Sequence, residues 1–303
     1  MSAPQVQLRR SRPEEPVSGS TPHRSTSKRG TARRSRLLAM LVLGAITAVL
    51  ALPAYWVVAT AFKSPEQLNS AVVVFWPVPA HFENFLEAVT RVPFMAYAVN
   101  SLFLATLSGV LTTFSSALVG YGFARLHGPG KRILFGVLIA MMMMPGIVTL
   151  IPTYLLFSRV GLVGNYWPWV IWGLAGSPFL IFLYRQFFAG LPKELEEAAI
   201  LDGCSQLGIF VRVFLPISKP IVVTAFVMSF LATWGDFIAP NLLLNQSNTT
   251  LAVALSSGYV NSRGFPLNNL IAAGSILYVI PVVLVFFFVQ RRYTENFSAA
   301  GIK

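Results

Sequence analysis

LPKELEEAAILDGCSQLGIFVRVFLP, residues 191–216, is a charged insert between two long apolar runs. Pro192 suits the first turn of a helix, where its missing N–H would be unpaired in any case. Three glutamates follow, near the positive end of that helix dipole, and Gly203 is well placed to end the helix. A second amphipathic stretch, Leu207–Phe214, leads to Pro216 and the next apolar run. The segment therefore predicts two short helices, joined at an angle, that lie against a membrane.

The composition of the chain is that of a membrane protein. Of its 303 residues, 55% are apolar and 11% are charged, whereas soluble domains contain about a quarter charged residues. Several apolar runs exceed the roughly 18 to 20 residues that cross a bilayer as a helix. We predict an all-α polytopic membrane protein with six transmembrane helices, at approximately 37–62, 97–124, 133–157, 166–186, 220–244 and 268–290.

Prolines occur within most of the predicted spans. A proline removes one helix hydrogen bond and frees a carbonyl group, which a neighbouring helix or water in a cavity must then satisfy. Kinked spans therefore suit a bundle that contains a cavity, although kinks also occur in purely structural helices. The prolines concerned are Pro53, Pro145, Pro152, Pro178 and Pro281.

The N-terminal residues 1–35 are predicted to be a disordered basic cytoplasmic tail, and residues 36–303 to be the transmembrane domain. The tail has few apolar residues, so it lacks the means to bury a core. Span 1 is too long for a cleaved secretory signal. A basic tail can bind nucleic acid, but Lys and Arg beside a first span more commonly set topology and contact anionic lipid. We therefore expect no nucleic-acid partner.

Lysine and arginine are distributed unevenly between the two sides of the predicted membrane. With the N-terminus inside, 19 of the 23 fall on the inner side, and the outer side carries Lys63, Arg91, Arg159 and Arg263. Loops rich in Lys and Arg stay on the cytoplasmic side. The sequence therefore predicts that both termini and residues 191–216 are cytoplasmic.

The patterns needed for catalysis, metal binding and nucleotide binding are absent from the sequence. The GPGK at residues 128–131 lacks the spacing of a phosphate-binding loop. Cys204 is the single cysteine, and His23, His81 and His127 are far apart in the chain, so no metal site is predicted. We predict a transport subunit that is not an enzyme and has no cofactor of its own.

Asp236 is the acidic residue that lies well inside a predicted span. Ionisable residues in a membrane are candidates for function, and the neighbouring Trp234 has a ring that can stack on a sugar. Asp236 lies 16 residues beyond Pro220, about 24 Å along a helix, which places it toward the outer leaflet. A structural carboxylate and an aromatic-belt tryptophan are thus open alternatives to a substrate path formed by these two residues.

Residues 191–216 also contain a sequence signature with fixed spacing. It begins with Glu-Ala-Ala, and a Gly follows after three intervening residues of any type. After nine more such residues come an aliphatic residue, one residue of any type, and Leu-Pro. The signature resembles the cytoplasmic docking loop of the membrane subunits of bacterial ABC importers. The resemblance implies a type I ABC importer permease fold, with a cytoplasmic coupling helix between spans 4 and 5. It assigns contact with a separate ATPase subunit to Glu197, Ala198, Ala199, Asp202, Gly203, Leu215 and Pro216.

Further segments resemble the carbohydrate-uptake branch of that family, the maltose-transporter type. The matching motifs are AFKS at 61–64, NS at 100–101, YGFAR at 121–125 and RQFF at 185–188. The C-terminal SAAGIK resembles a tail that contacts the ATPases in that branch, which assigns such a contact to Ala299, Gly301 and Lys303. One departure is Gly235, where the branch usually has Asn between Trp and Asp.

The resemblance also implies an assembly in a bacterial cell membrane, inner or plasma. This chain and a homologous permease would form the path, two ATP-binding subunits would bind ATP and Mg, and an extracytoplasmic solute-binding protein would deliver a sugar. One alternative is an ABC importer permease for another solute, such as glycerol phosphate, polyamine or peptide. Another is an ion-coupled secondary transporter, which predicts buried charges and inverted repeats; the sequence has one candidate charge and no obvious repeat.

Overall fold

A computed structural model describes residues 28–300, with the side chains of 36, 38–287 and 290. This part of the chain is helical, and its one β pairing is an isolated antiparallel bridge between Val260 and Pro266. The predicted all-α class is therefore confirmed. The first helix begins at Lys28, before the predicted boundary at residue 36. Residues 1–27 of the predicted tail lie outside the described residues, so the tail and its boundary stay predictions.

The helices are numbered in chain order. They are α1 Lys28–Ala61, α2 Pro65–Leu68, α3 Glu83–Arg91, α4 Phe94–Arg125, α5 Lys131–Met142, α6 Gly146–Arg159, α7 Trp167–Ala175, α8 Pro178–Ala189, α9 Glu194–Leu201, α10 Gln206–Ile209, α11 Leu215–Ile217, α12 Lys219–Trp234, α13 Ile238–Leu243, α14 Leu251–Ser257 and α15 Asn268–Ala300. A π-helical turn, Phe210–Phe214, connects α10 with α11.

Four helical segments of the described chain are long and apolar enough to cross a membrane alone. They are Leu38–Ala61, Phe94–Arg125, Trp167–Ala189 and Asn268–Phe287. Two further helix pairs qualify together but are bent, α5 with α6 by 103° and residues 206–217 with α12 by 84°. Six spans result when each bent pair counts as one, in agreement with the predicted number.

Two spans predicted to be continuous are interrupted. Span 3 breaks before α6, where Pro145 has an extended conformation and cannot continue the preceding helix. Span 5 was expected to reach residue 244, but α12 ends at Trp234, and Gly235 and Asp236 precede the separate helix α13. At 1.5 Å per residue, neither half of span 3 is long enough for the roughly 30 Å hydrocarbon core.

The other prolines of the spans divide into two groups. Pro53, Pro152 and Pro281 lie inside α1, α6 and α15. Pro178 instead starts α8 after a short break that follows Gly176, where a missing N–H has no cost. Prolines of similar sequence context therefore lie within some helices and at the start of others.

Helix α4 packs against α7, α8 and α12, and small residues on it permit close approach. A Cβ atom at Gly120 would lie 2.6 Å from the Cβ of Tyr184 and 3.0 Å from the carbonyl oxygen of Ile181. Small residues at such crossings are typical of membrane helix pairs. The distance between α4 and α8 therefore depends on Gly120.

We expect Gly120→Ala to lower the stability of the purified protein by about 1–3 kcal/mol, the usual cost of adding an atom to a packed contact. Thermal unfolding in detergent measures the change. Gly122→Ala on the same helix is the matched control, because its Cβ would meet only the Leu126 side chain at 4.0 Å. Equal stability of the two variants would show that the α4–α8 contact tolerates a larger side chain.

A junction of amide groups joins the end of α1 to α3 and α15, near the beginning of α4. The Nδ2 group of Asn84 donates hydrogen bonds to the carbonyl oxygens of Ala61 and Lys63, both at 2.9 Å. The Nδ2 group of Asn269 donates to Oδ1 of Asn84 at 3.0 Å. Both asparagines are buried, so these bonds form away from solvent, where they are strongest.

Candidate functional site

The segment 191–216, here named the coupling loop, contains two short helical stretches that are joined at Gly203. The N–H of Gly203 donates to the carbonyl of Ile200 at 2.9 Å, and the N–H of Cys204 donates to the carbonyl of Ala199 at 3.0 Å. This pair of hydrogen bonds is a Schellman cap, which places the residue after the helix cap in the left-handed conformation. Gly203 has φ of +76°, so a glycine at this position allows the predicted helix end.

The second half of the coupling loop leads back into the bundle through a defined corner. The hydroxyl of Ser205 caps α10 by accepting a hydrogen bond from the N–H of Gly208 at 3.2 Å. Beyond α11 the chain turns by 84° into α12. Ser218 lies at this corner, is buried and donates through Oγ to the carbonyl of Leu215 at 2.9 Å.

Aromatic rings hold the coupling loop against the ends of α4 and α8. The ring centroid of Tyr121 lies 5.1 Å from that of Phe214 and 5.3 Å from that of Phe210. Phe188 lies 5.6 Å from Phe214, and the Tyr121 hydroxyl donates to Oε1 of Gln206 at 2.9 Å. Because the four aromatic residues belong to one buried cluster, the loop and the two helix ends form a single packed unit.

Arg125 connects the last residue of α4 to the entrance of the coupling loop. Its Nη2 group donates to the carbonyl oxygens of Phe188 and Leu191, at 2.6 and 2.5 Å. Its Nη1 group lies 3.8 Å from the carboxylate of Glu196, and the Arg125 side chain is 6% exposed. The guanidinium carbon is 5.0 Å from the centroid of the Phe214 ring. Arg125 therefore satisfies the carbonyl groups with which α8 and the following turn end.

The sequence did not indicate this role of Arg125, which enters there as one of the inner positive charges and as the last residue of the YGFAR motif. The available signal was its position in the last turn of an apolar span, a place where an arginine side chain can reach helix-terminal carbonyls. Its partners lie 63 and 66 residues further along the chain. No local sequence pattern connects Arg125 to these two carbonyl groups.

One face of the first helical stretch is directed outward. Its exposed side chains are Glu194, Glu197, Ala198, Leu201 and Asp202. Leu201 is 89% exposed, whereas Ala199 is 6% exposed and packs into the aromatic cluster. Ala198 and Ala199 therefore lie on different sides of α9, since neighbouring positions of a helix point about 100° apart. The outward face combines carboxylates with a projecting leucine.

The predicted coupling residues thus occupy three environments. Glu197, Ala198 and Asp202 are on the outward face, Gly203 is at the joint, and Pro216 is exposed near the corner. Ala199 and Leu215 pack toward the bundle. The coupling role of all seven stays a prediction. Of the predicted C-terminal contacts, Ala299 belongs to the backbone of α15, and Gly301 and Lys303 lie outside the described residues.

The candidate substrate-path residues lie at the other end of α12. Trp234 is buried, and its ring stacks on the rings of Phe230 and Tyr278. The distances between ring centroids are 5.9 Å to Phe230 and 5.2 Å to Tyr278. Asp236 accepts hydrogen bonds through Oδ1 from the N–H groups of Ile238 at 3.0 Å and Ala239 at 3.2 Å. This is the arrangement of a carboxylate that caps a helix. The substrate-path assignment of Trp234 and Asp236 stays a prediction.

The fold is similar to that of solved membrane transporters. The chain superposes on a chain of a bacterial ABC transporter involved in the import of the acidic polysaccharide alginate with a TM-score of 0.74, at 22% sequence identity. The match covers 89% of this chain and 99% of the other. This similarity supports the predicted ABC importer permease fold.

Curated relatives match two thirds or more of the chain. The chain is 30% identical over 259 residues to the probable ABC transporter permease protein YurM of Bacillus subtilis, covering 84% of each protein. It is 32% identical over 208 residues to the arabinooligosaccharides transport system permease protein AraQ of Bacillus subtilis, covering 67% of this chain and 72% of AraQ. The family profile described as "Binding-protein-dependent transport system inner membrane component" matches residues 109–297, which include the whole coupling loop. The chain therefore belongs to the family of binding-protein-dependent transport system inner membrane components.

Proposed function

We propose that this chain is a permease subunit of an ATP-driven ABC importer for a sugar. With a homologous permease it would form the path for a sugar that an extracytoplasmic binding protein delivers. Family membership supports a role in transport, and the names of the relatives described above support a sugar. ATP and Mg would be bound by two separate ATPase subunits, and this chain would contribute no catalytic residue.

The coupling loop is the observation that carries this proposal. Its outward face is exposed, while its inner face shares a core with the ends of α4 and α8. A force applied to the outward face would therefore be transmitted to those helices, because closely packed residues move together. ATP-driven closure of the ATPase pair would supply that force and change the side from which the path is open.

A cavity of about 420 Å³ beside the start of α4 supports a neutral polar substrate. Amide and hydroxyl groups contribute to its lining, and no charged side chain does so. These groups both donate and accept hydrogen bonds, as the hydroxyl groups of a sugar require. Glycerol phosphate or a polyamine would instead call for a side chain of opposite charge. The polar lining side chains are Tyr97, Asn241, Asn245, Gln246, Thr249 and Ser257.

ATP hydrolysis by the reconstituted importer tests the proposal. The chain is purified with its partner permease and ATPases, placed in proteoliposomes, and mixed with its extracytoplasmic binding protein. We expect stimulation by arabinooligosaccharides or other neutral oligosaccharides. Stimulation by glycerol 3-phosphate, spermidine or a peptide alone would favour the non-sugar alternative. Uptake that depends on an ion gradient and does not require ATP would contradict the proposal.

The topology of the chain gives a separate prediction. In a Cys204→Ser background, a membrane-impermeant maleimide should label Ser247→Cys from outside the cell and fail to label His127→Cys, because positively charged segments stay inside. Both positions are exposed, and permeabilised cells provide the control, in which both are labelled. The reverse pattern in intact cells would show that the chain has the opposite orientation.

A further inference from the structure

A cavity of about 560 Å³ lies where α4 and α8 end and α5 begins. Three cationic side chains line it, Lys131, Arg132 and Arg185, and no carboxylate is among the lining residues. In the part of the chain that the structure describes, the ion pairs use none of these three cations. The cavity thus presents three positive charges without a counter-charge from the described chain.

Two of these cations are held in position by neutral partners. The Nζ group of Lys131 donates to the carbonyl of Leu126 at 2.6 Å. The guanidinium carbon of Arg185 lies 4.1 Å from the centroid of the Phe135 ring. A carbonyl contact and a cation–π contact orient the side chains but leave their charge in place. The cavity is therefore positively charged before any ligand enters.

The turn that leads into α5 contributes backbone to the wall of the cavity. Gly128 and Gly130 both line it, and a Cβ atom at either position would meet nothing within 4 Å. Gly130 has φ of +75°, a conformation that favours glycine. Backbone therefore forms this part of the wall, and no side chain covers it.

Apolar side chains extend from the cations along α5. Ile133, Leu134 and Val137 are each more than half exposed. A second cavity, of about 330 Å³, is lined by Leu134 and shares Phe123 and Lys131 with the first. The cations therefore lie at the border of an exposed apolar surface, as the phosphate of a phospholipid lies at the border of its acyl chains.

We propose that this cavity binds the headgroup of an anionic phospholipid, with its acyl chains along the exposed face of α5. Basic pockets between membrane helices on the cytoplasmic side suit anionic headgroups. The cavity lies at the end of α4 that also carries Arg125 and the coupling loop, which is the predicted cytoplasmic end. A soluble phosphate compound would neutralise the cations but would leave the apolar side chains of α5 uncovered, so the two surfaces together favour a lipid.

Native mass spectrometry of the importer complex, purified through a tag on this chain, tests the proposal. Phosphatidylglycerol is added in one arm, phosphatidylcholine in a second, and phosphatidylglycerol with excess glycerol 3-phosphate in a third. Arg132→Gln with Arg185→Gln is compared with Arg159→Gln with Lys219→Gln, which removes the same charge from exposed positions outside the cavity. Arg132→Lys with Arg185→Lys keeps the charge.

We expect wild type to bind phosphatidylglycerol in preference to phosphatidylcholine. Each removed cation should weaken phosphatidylglycerol binding about fivefold, and the double glutamine variant about 25-fold. The charge control and the lysine variant should stay near wild type, and unchanged phosphatidylcholine binding shows that the double variant is folded. Arg132→Gln alone serves if the double variant does not fold. Three outcomes would each overturn the proposal. The double glutamine variant could bind phosphatidylglycerol as well as wild type does, or the charge control could lose as much phosphatidylglycerol binding as the double variant. Glycerol 3-phosphate could also displace the lipid.

Discussion

Gly203→Val is expected to reduce solute uptake at least about tenfold while the protein stays in the membrane. A side chain in the left-handed conformation costs about 1–2 kcal/mol, and a branched side chain is disfavoured there. Gly203 has φ of +76° and forms the cap that joins the two halves of the coupling loop. Loss of this cap would redirect the outward face of α9. Uptake in cells and ATP hydrolysis by the purified importer measure the effect, and we expect weak assembly or hydrolysis without transport.

Gly203→Asn is the matched control for this prediction. Asparagine tolerates the left-handed conformation better than other residues with a side chain, so we expect it to retain most of the uptake. Wild-type uptake by the valine variant would show that the cap is dispensable. An asparagine variant as inactive as the valine variant would show that side-chain size at the docking surface, and not backbone conformation, is what matters.

Arg125→Met is expected to destabilise the protein by about 2–4 kcal/mol, because two carbonyl groups in a buried region lose their charged donor. The side chain is 6% exposed, so the room for water to replace it is small. Without this contact the turn between α8 and α9 is held to α4 less firmly, by aromatic contacts such as that between Tyr121 and Phe188, and we expect uptake to fall at least about tenfold, the factor that 1.4 kcal/mol represents. Thermal unfolding in detergent and uptake at matched membrane levels measure the two effects.

Glu196→Gln distinguishes the contribution of the ion pair from that of the carbonyl contacts, because it removes only the charge that faces Arg125. The closest distance between Arg125 and Glu196 is 3.8 Å, and the glutamate side chain is 18% exposed. We expect this substitution to cost less than about 1 kcal/mol, because 3.8 Å is too long for a hydrogen bond and Arg125 keeps its two carbonyl acceptors, and we expect uptake to be almost unchanged. Equal damage from Glu196→Gln and Arg125→Met would show that the ion pair, and not the carbonyl contacts, anchors the loop.

The coupling loop was predictable from the sequence because its signals are local. Glutamates at a helix start and a glycine at a helix end act within one turn, and α9 and its cap at Gly203 lie where these residues predict. The number of spans is likewise a property of apolar run lengths. The family signature added the prediction of an ATPase contact, which no residue spacing alone implies.

Features that depend on distant residues were not predictable in the same way. Pro145 and Pro152 lie close together in one apolar run, yet the first divides the span and the second lies inside α6. Whether a helix continues through a proline depends on which neighbours satisfy the freed carbonyl, and sequence order does not reveal those neighbours. Asp236 is a similar case, since its role as a helix cap follows from the end of α12 at Trp234, which hydropathy did not indicate.

The amide junction of Asn84 and Asn269 has a consequence for the conditions in which the protein keeps its shape. Its donors and acceptors are side-chain amides and backbone carbonyls, groups that have no proton to gain or lose in ordinary media. Salt screens interactions between charges, and none is present in these three bonds. The connection between the end of α1, α3 and α15 should therefore hold equally in acidic, alkaline, dilute and saline surroundings, where a carboxylate–lysine pair at the same place would weaken.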